Sequence, residues 1–208
     1  MRKLIFILVI LFAVFGTNAN ATCPTGWTST SITYLYDSDD DNIPDCEVTV
    51  YYCYITLPTG EFKVKIDRIT IDIDCGLNFI NTTAFWDDLL KRVREDFMQV
   101  VTFPPCPHGV INVEIRRAEC WAVKNVPPNP LEQEPGHMEL IDCGMIGFCE
   151  WYYKICYDSN LGINVLIYMG YNSITSELCP DEIPELPPIG KTWFEEWTTE
   201  CYGVTCVE

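Results

Sequence analysis

The stretch Asp37-Ser38-Asp39-Asp40-Asp41-Asn42-Ile43-Pro44-Asp45 sets carboxylates at its first, third, fifth and ninth positions. Carboxylates at alternate positions let a tight loop turn several hard oxygen donors toward one point. Calcium takes six to eight such oxygens at ~2.3–2.6 Å. The backbone carbonyl of Ile43 supplies the seventh position of such a loop. Asn42 stands where a tight turn favours glycine, and asparagine enters the left-handed region more readily than most residues. The chemistry expected here is calcium binding through Asp37, Asp39, Asp41, Ile43 and Asp45. A solvated acidic hairpin tip is the competing reading.

These residues resemble the calcium loops of thrombospondin type 3 repeats and of similar linkers in bacterial outer-membrane proteins, which read D-x-D-x-D-G-x-x-D. The resemblance covers this loop alone, in one copy, with Asn42 in place of glycine. It implies calcium ligands at Asp37, Asp39, Asp41 and Asp45. The twelfth position is Val48 rather than the usual closing acid. The expected affinity is therefore in the weak extracellular class, roughly 10⁻⁴–10⁻³ M.

Aromatic side chains are the second chemical feature. Tyr51, Tyr52, Tyr54, Trp151, Tyr152, Tyr153 and Tyr157 crowd two segments. A face made of Tyr51, Tyr52, Trp151 and Tyr153 could stack on sugar rings or dock a partner chain, unless those rings fill the core and flank disulfides. His108 and His137 both lie in proline-rich surroundings and read as polar loop residues. Pairs such as Asp87-Asp88 and Glu195-Glu196 would make a hydrolytic dyad only if the fold brought two acids into one cleft. No Gly-x-Ser-x-Gly, His-Glu-x-x-His, P-loop or Gly-x-Gly-x-x-Gly motif occurs, and Asn81-Thr82-Thr83 is a glycosylation sequon.

The elements that must position these groups are organised by cysteine. Cys46-Glu-Val-Thr-Val-Tyr-Tyr-Cys53-Tyr54 is echoed by Cys149-Glu-Trp-Tyr-Tyr-Lys-Ile-Cys156-Tyr157. β-Branched and aromatic residues make each run a strand. An odd separation puts the two cysteines of a run on opposite faces, about 23 Å apart at ~3.3 Å per residue. A disulfide needs Cα atoms within ~7 Å. Each run must therefore be tied to two other parts of the chain. The twelve cysteines are Cys23, Cys46, Cys53, Cys75, Cys106, Cys120, Cys143, Cys149, Cys156, Cys179, Cys201 and Cys206. All are expected in bridges, since none forms a Cys-x-x-Cys pair of the kind a metal site uses.

The compartment follows from the first residues. Met1-Arg2-Lys3, the apolar run Leu4–Phe15 and the Ala19-Asn20-Ala21 pattern read as a secretory signal peptide over 1–21, cleaved after Ala21. Losing Arg2 and Lys3 leaves 11 cations against 30 carboxylates, a formal charge of −19. So acidic a chain repels phosphate backbones and anionic lipid, and nucleic-acid binding is not expected. No other run is long and apolar enough for an integral membrane segment. The expected location is extracellular or at the cell surface, with the periplasm as the alternative.

Periodicity yields mainly β structure. Strands are expected at 28–36, 46–57, 62–66 and 69–73. The last two are out of phase, so a bulge near Asp67-Arg68 or a strand junction is required. Phe85, Leu89, Val93 and Phe97 recur at helical spacing and define one main helix over about 83–101, with Thr82 or Thr83 at its start. Further strands follow at 111–115, 138–142 and 148–157, the last two expected to pair, and at 163–169. Thr192-Trp-Phe-Glu195 suggests a capping box opening a short helix near 193–200.

The six cysteines from Cys23 to Cys120 align in order with the six from Cys143 to Cys206, with offsets of 103, 103 and 104 for the central three. An internal repeat explains this, and chance likeness between cysteine-rich β segments is the alternative. The expected organisation is antiparallel, sandwich-like, disulfide-rich sheets in two related halves, 22–125 and 137–208, joined by a proline-rich linker at 126–136. The expected function is that of a secreted, non-enzymatic structural or adhesion protein with a calcium loop. Its expected partners are further copies of itself, other surface proteins or glycans. A carbohydrate- or protein-binding module using the aromatic strands is the alternative, and a secreted carboxylate hydrolase the third.

Overall fold

A computed structural model describes residues 23–39, 41–75, 78–129, 131, 135–145, 147–175 and 179–206. The signal peptide read at 1–21 lies outside them. Strand β1 (Thr28–Tyr36) turns through the acidic loop into β2 (Cys46–Thr56), with Thr28 opposite Tyr54 and Tyr36 opposite Cys46. A tight turn with Gly60 at φ +84° leads into β3 (Phe62–Asp72). Tyr51 pairs with Arg68 and Tyr52 with Ile66, so Asp67 is the extra residue of a bulge. That bulge absorbs the phase slip seen in the sequence. Phe62, Val64 and Ile66 before it and Ile69 and Ile71 after it are all buried.

Helix α1 (Thr83–Val100) starts at Thr82, whose hydroxyl accepts a hydrogen bond from the Phe85 amide at 3.3 Å. Its apolar stripe, Phe85, Trp86, Leu89, Leu90, Val93 and Phe97, is buried. Strand β4 (Ile111–Ala118) lies parallel to β3, so the connection between them has to cross over, and α1 is that crossover. The remaining strands are β5 (Cys120–Val126), β6 (His137–Asp142), β7 (Phe148–Asp158), β8 (Ile163–Ile174) and the two-residue β9 (Trp197–Thr198) and β10 (Tyr202–Gly203).

Strand β3 is a branch point. One of its edges carries β2. The other carries β4 along Phe62–Lys65 and β6 along Arg68–Asp72. One arm continues from β4 to β7 and β8, and the other from β6 to β5, which also pairs with β9 and β10. The ten strands among the described residues therefore join one hydrogen-bonded, mostly antiparallel sheet. Its long outer strands are β1 and β8, each paired on one side only among the described residues, while the two-residue β9 and β10 lie along the outer edge of β5.

Two local expectations change. β6 and β7 do not pair with each other, because β6 joins β3 and β5 while β7 joins β4 and β8. The short helix near 193–200 is absent. The Glu195 carboxylate does reach back to the Thr192 amide at 2.9 Å, as a capping box requires. The chain then leaves the turn so that Trp197 and Thr198 pair with Asn125 and Lys124 of β5. Strand pairing overrides a local helix signal of about one turn.

All twelve cysteines are bridged. The first run is tied by Cys23–Cys53 and Cys46–Cys75, and the second by Cys106–Cys156 and Cys149–Cys206. The remaining pairs are Cys120–Cys179 and Cys143–Cys201. Both strand runs are thus tied outward at each end, as their geometry demands. Cys106–Cys156 and Cys120–Cys179 each join a cysteine before residues 126–136 to one after them. The aligned cysteines do not pair alike. Cys23 and Cys46 bond to Cys53 and Cys75, whereas their counterparts Cys143 and Cys149 bond to Cys201 and Cys206 rather than to Cys156 and Cys179. The proline-rich stretch joins β5 to β6, neighbours in the sheet.

The core is continuous across the branch. Trp86 donates its indole N–H to the Ile80 carbonyl at 2.7 Å and packs on Trp121 at 5.4 Å between ring centres. Above it lies the buried Arg117, 4.5 Å from the Trp86 ring and 5.7 Å from that of Trp151. Burial pulls the Arg117 pKa down to about 9, while Glu119, Tyr202 and Asp87 favour its charged form. It is thus a cation at neutral pH, and it donates to the Thr205 carbonyl at 3.0 Å, pinning the C-terminal segment onto β4.

Candidate functional site

The acidic loop caps the β1–β2 hairpin. Asp37, Asp39 and Asp41 bring one carboxylate oxygen each to within 4.8 Å of the others. The backbone turns under them. Asn42 sits at φ +68°, in the left-handed conformation that its place in the loop demands. The Asp37 carboxylate accepts the Asp41 and Asn42 amides at 3.2 and 2.7 Å, and the Asp41 carboxylate accepts the Ile43 amide at 2.7 Å. Asp45 does not join the cluster. Its carboxylate accepts the Ser38 amide at 3.0 Å and the Ser38 hydroxyl at 3.2 Å, bonds that hold its pKa below the ordinary value. Three convergent carboxylates fit a calcium ion only if water completes the shell of six to eight oxygens, which agrees with a weak site.

The aromatic face expected from the sequence is turned inward. Tyr52 is 0 %, Trp151 1 % and Tyr153 3 % exposed. Tyr51, on the other side of β2, is half-buried beneath the Arg68 guanidinium at 4.5 Å. Tyr52 donates its hydroxyl to Asp96 at 2.5 Å and so fastens α1 to β2. These rings fill the core: Val48, Val50 and Tyr52 on one face of β2 and Trp151, Tyr153 and Ile155 on one face of β7 are buried, whereas the opposite faces carry Glu47 and Thr49, and Glu150 and Lys154.

Other candidates are engaged separately. Asp88 pairs with Arg92 at 3.4 Å, Glu195 with Lys191 at 3.5 Å and Glu196 with Lys124 at 3.2 Å. His137 lies 3.9 Å from Glu139, which also pairs with Arg68 at 2.8 Å and Lys124 at 3.8 Å. His108 is exposed in a loop, and Asn81 is exposed at the end of the short turn that precedes α1.

Several clefts open on the sheet. One, of about 370 Å³, lies at the branch between β4 and β6. Its cations are neutralised by neighbours: Lys63 by Glu114 at 2.8 Å, Lys65 by Asp142 at 3.1 Å and Arg116 by Glu150 at 3.7 Å. A second, about 280 Å³, runs along Phe62, Tyr152 and Met169. A third, about 270 Å³, lies between α1 and the β7–β8 arm, lined by Asp87, Leu90, Lys91, Arg94, Trp151, Tyr153 and Tyr168. Here the Arg94 guanidinium stands 5.4 Å from the Tyr153 ring, and the Tyr153 and Tyr168 rings are 5.6 Å apart. Burial raises the Tyr153 pKa, with Arg94 acting the other way. Desolvation raises the pKa of Asp87, with Arg117 opposing. Sequence reasoning had no means of finding Lys91, Arg94 and Tyr168 together, because a helix face and a strand some 75 residues downstream meet only through the tertiary fold.

No protein-family model, curated protein or solved structure matches the chain. No helix among the described residues is long and apolar enough to cross a membrane. The six bridges fit an oxidising environment.

Proposed function

We propose that the chain is a secreted, non-enzymatic structural or adhesion subunit that joins further copies of itself through its sheet edges, with a weak calcium loop at the β1–β2 tip. The observation that carries this reading is the character of the two outer strands. β1 has nine residues and β8 twelve, both pair on one side only among the described residues, and neither contains a charged residue or a proline. At the chain's overall 21 % of charged residues, about four would be expected in these two strands, and edges are normally blunted with such residues.

β8 adds apolar surface to its free backbone. Ile163, Ile167, Met169 and Tyr171 are each between 41 and 54 % exposed. A bulge at Met169-Gly170 bends its second part, with Gly170 at φ +121°. That leaves Ile163–Tyr168 as an unbroken segment of six residues suited to extended pairing. A second copy is the favoured occupant. The edges are where two chains of formal charge −19 can approach without setting like charges side by side. β8 against β8 would close a dimer, whereas β1 against β8 would continue into a chain of copies.

Sedimentation velocity of the mature protein tests this. Larger species are expected to grow with concentration and with salt, as repulsion between the acidic bodies is screened over ~8–10 Å. Ser31→Lys and Ile167→Lys should suppress them. A monomer at every concentration and salt level, or assembly indifferent to both substitutions, refutes the reading.

A further inference from the structure

We propose that the cleft between α1 and the β7–β8 arm is a binding site for a single carboxylated sugar unit. The inference is independent of edge pairing and concerns the folded monomer. It begins from charge. Most cations of this acidic chain are neutralised: Lys63, Lys65, Arg68, Arg92, Arg116, Lys124 and Lys191 all lie in ion pairs, and Arg117 is buried among Glu119, Tyr202 and Asp87. Among the described residues, Lys91, Arg94 and Lys154 are in no ion pair. Of these, Lys91 and Arg94 stand one helical turn apart and open onto the same cleft. Lys91 and Arg94 share this hollow with Asp87, and Arg94 also hydrogen-bonds Tyr153; two cations outside any ion pair against one carboxylate select an anion, and a guanidinium favours the planar, two-oxygen geometry of a carboxylate.

The other lining groups narrow the class. Tyr168, 44 % exposed, lies against Tyr153 and presents a ring surface at the mouth. Asp87 contributes a carboxylate on the helix side. A bare inorganic anion would leave the ring unused and face Asp87 as a like charge. A ring carrying hydroxyl donors as well as a carboxylate answers all three: its acid meets Lys91 and Arg94, a hydroxyl donates to Asp87, and its C–H face lies on Tyr168. A cavity of about 270 Å³ falls just under the ~300–1,000 Å³ of sites for drug-sized ligands, which suits one such ring. The cleft at the sheet branch is larger, but its cations already have carboxylate partners.

The test is a titration of the mature protein with glucuronate, followed by backbone and side-chain chemical shifts, with glucose, the methyl ester of glucuronate and inorganic sulfate as comparators. Glucuronate is expected to saturate with a dissociation constant near ~1 mM, within the usual range for a ligand of that size, with shifts centred on Lys91, Arg94 and Tyr168. Glucose and the ester should bind at least ~10-fold more weakly once the charge-assisted contacts are lost. The Lys91→Gln/Arg94→Gln double variant should lose binding while keeping the circular-dichroism spectrum of the parent, and Lys91→Gln alone, at an exposed position, should weaken binding at an unchanged melting temperature. Tyr168→Ala should weaken glucuronate and leave sulfate unchanged. Equal affinity for glucose, sulfate binding as tightly as glucuronate, or undiminished binding in the double variant each overturns the proposal.

Discussion

Replacing Tyr52 by phenylalanine removes a hydroxyl that bonds α1 to β2 and reaches Thr30 of β1 as well. The ring is fully buried and its hydroxyl donates to the Asp96 carboxylate at 2.5 Å. Tyr52→Phe keeps the ring, so no sizeable cavity opens and the change reports the hydroxyl alone. Hydrogen bonds to charged groups contribute ~1.5–3 kcal/mol. For a chain of this length each kcal/mol moves the melting temperature by ~2–4 °C, so a fall of about 3–12 °C is expected in non-reducing buffer. Asp96→Ala takes away the hydroxyl's charged acceptor and should cost a similar amount. In the double variant the two losses should not add, leaving a coupling of at least ~1 kcal/mol. Thermal unfolding followed by circular dichroism measures all four proteins. A melting temperature for Tyr52→Phe within ~1 °C of the parent would refute the assignment of Tyr52 as a core fastener, as would a loss of ligand binding or assembly without a loss of stability.

Three further outcomes are expected. The Glu139 carboxyl is held below its ordinary pKa by the neighbouring His137, 3.9 Å away, and by the charges of Arg68 and Lys124. A carboxylate lowered in the folded state contributes stability that is complete above its unfolded value of ~4.3 and is lost as pH falls through the folded value. Glu139→Gln should therefore lower the melting temperature at neutral pH and flatten its decline between about pH 5 and 3; a variant as acid-sensitive as the parent would contradict this. Each bridge closes a loop of 29 to 59 residues and contributes ~2–4 kcal/mol, so losing six exceeds a typical net stability of ~5–15 kcal/mol. Strong reductant should then abolish the circular-dichroism signal of folded sheet near ~37 °C, and an unchanged spectrum would count against it. Calorimetry at millimolar calcium should show a heat that Asp39→Asn/Asp41→Asn removes, with a dissociation constant of ~10⁻⁴–10⁻³ M; no heat in the parent would dispose of the calcium loop.

What was legible in the sequence was local or purely geometric. The phase change across Asp67-Arg68 announced a bulge or a strand junction, the helical spacing after Thr82 or Thr83 the start of α1, and the odd spacing of Cys46 and Cys53 that each is tied to a different part of the chain, as they are to Cys75 and Cys23. Alternation says which residues share a face of a strand. It does not say whether an aromatic face is covered by another element, and so Tyr52, Trp151 and Tyr153 read equally well as a platform or a core. Pairing beyond neighbouring segments was hidden for the same reason. Nothing local shows that β3 divides its second edge between β4 and β6. Nor does anything local show that Cys106 meets Cys156, that Cys120 meets Cys179, or that Cys143 and Cys149 reach the C-terminal Cys201 and Cys206. At Thr192–Glu195 the local signal was real, yet its contribution was smaller than that of pairing Trp197 with β5.

Hydrogen exchange resolved by segment, at low and at high protein concentration, tests the edge-to-edge account most directly. The outward-facing amides of β1 (Thr28–Tyr36) and β8 (Ile163–Ile174), those not bonded to β2 or β7, should exchange quickly in dilute protein and become protected as concentration rises, while β2, β3 and β7 stay protected throughout. Protection of both outer strands that is unchanged across the concentration range would contradict it.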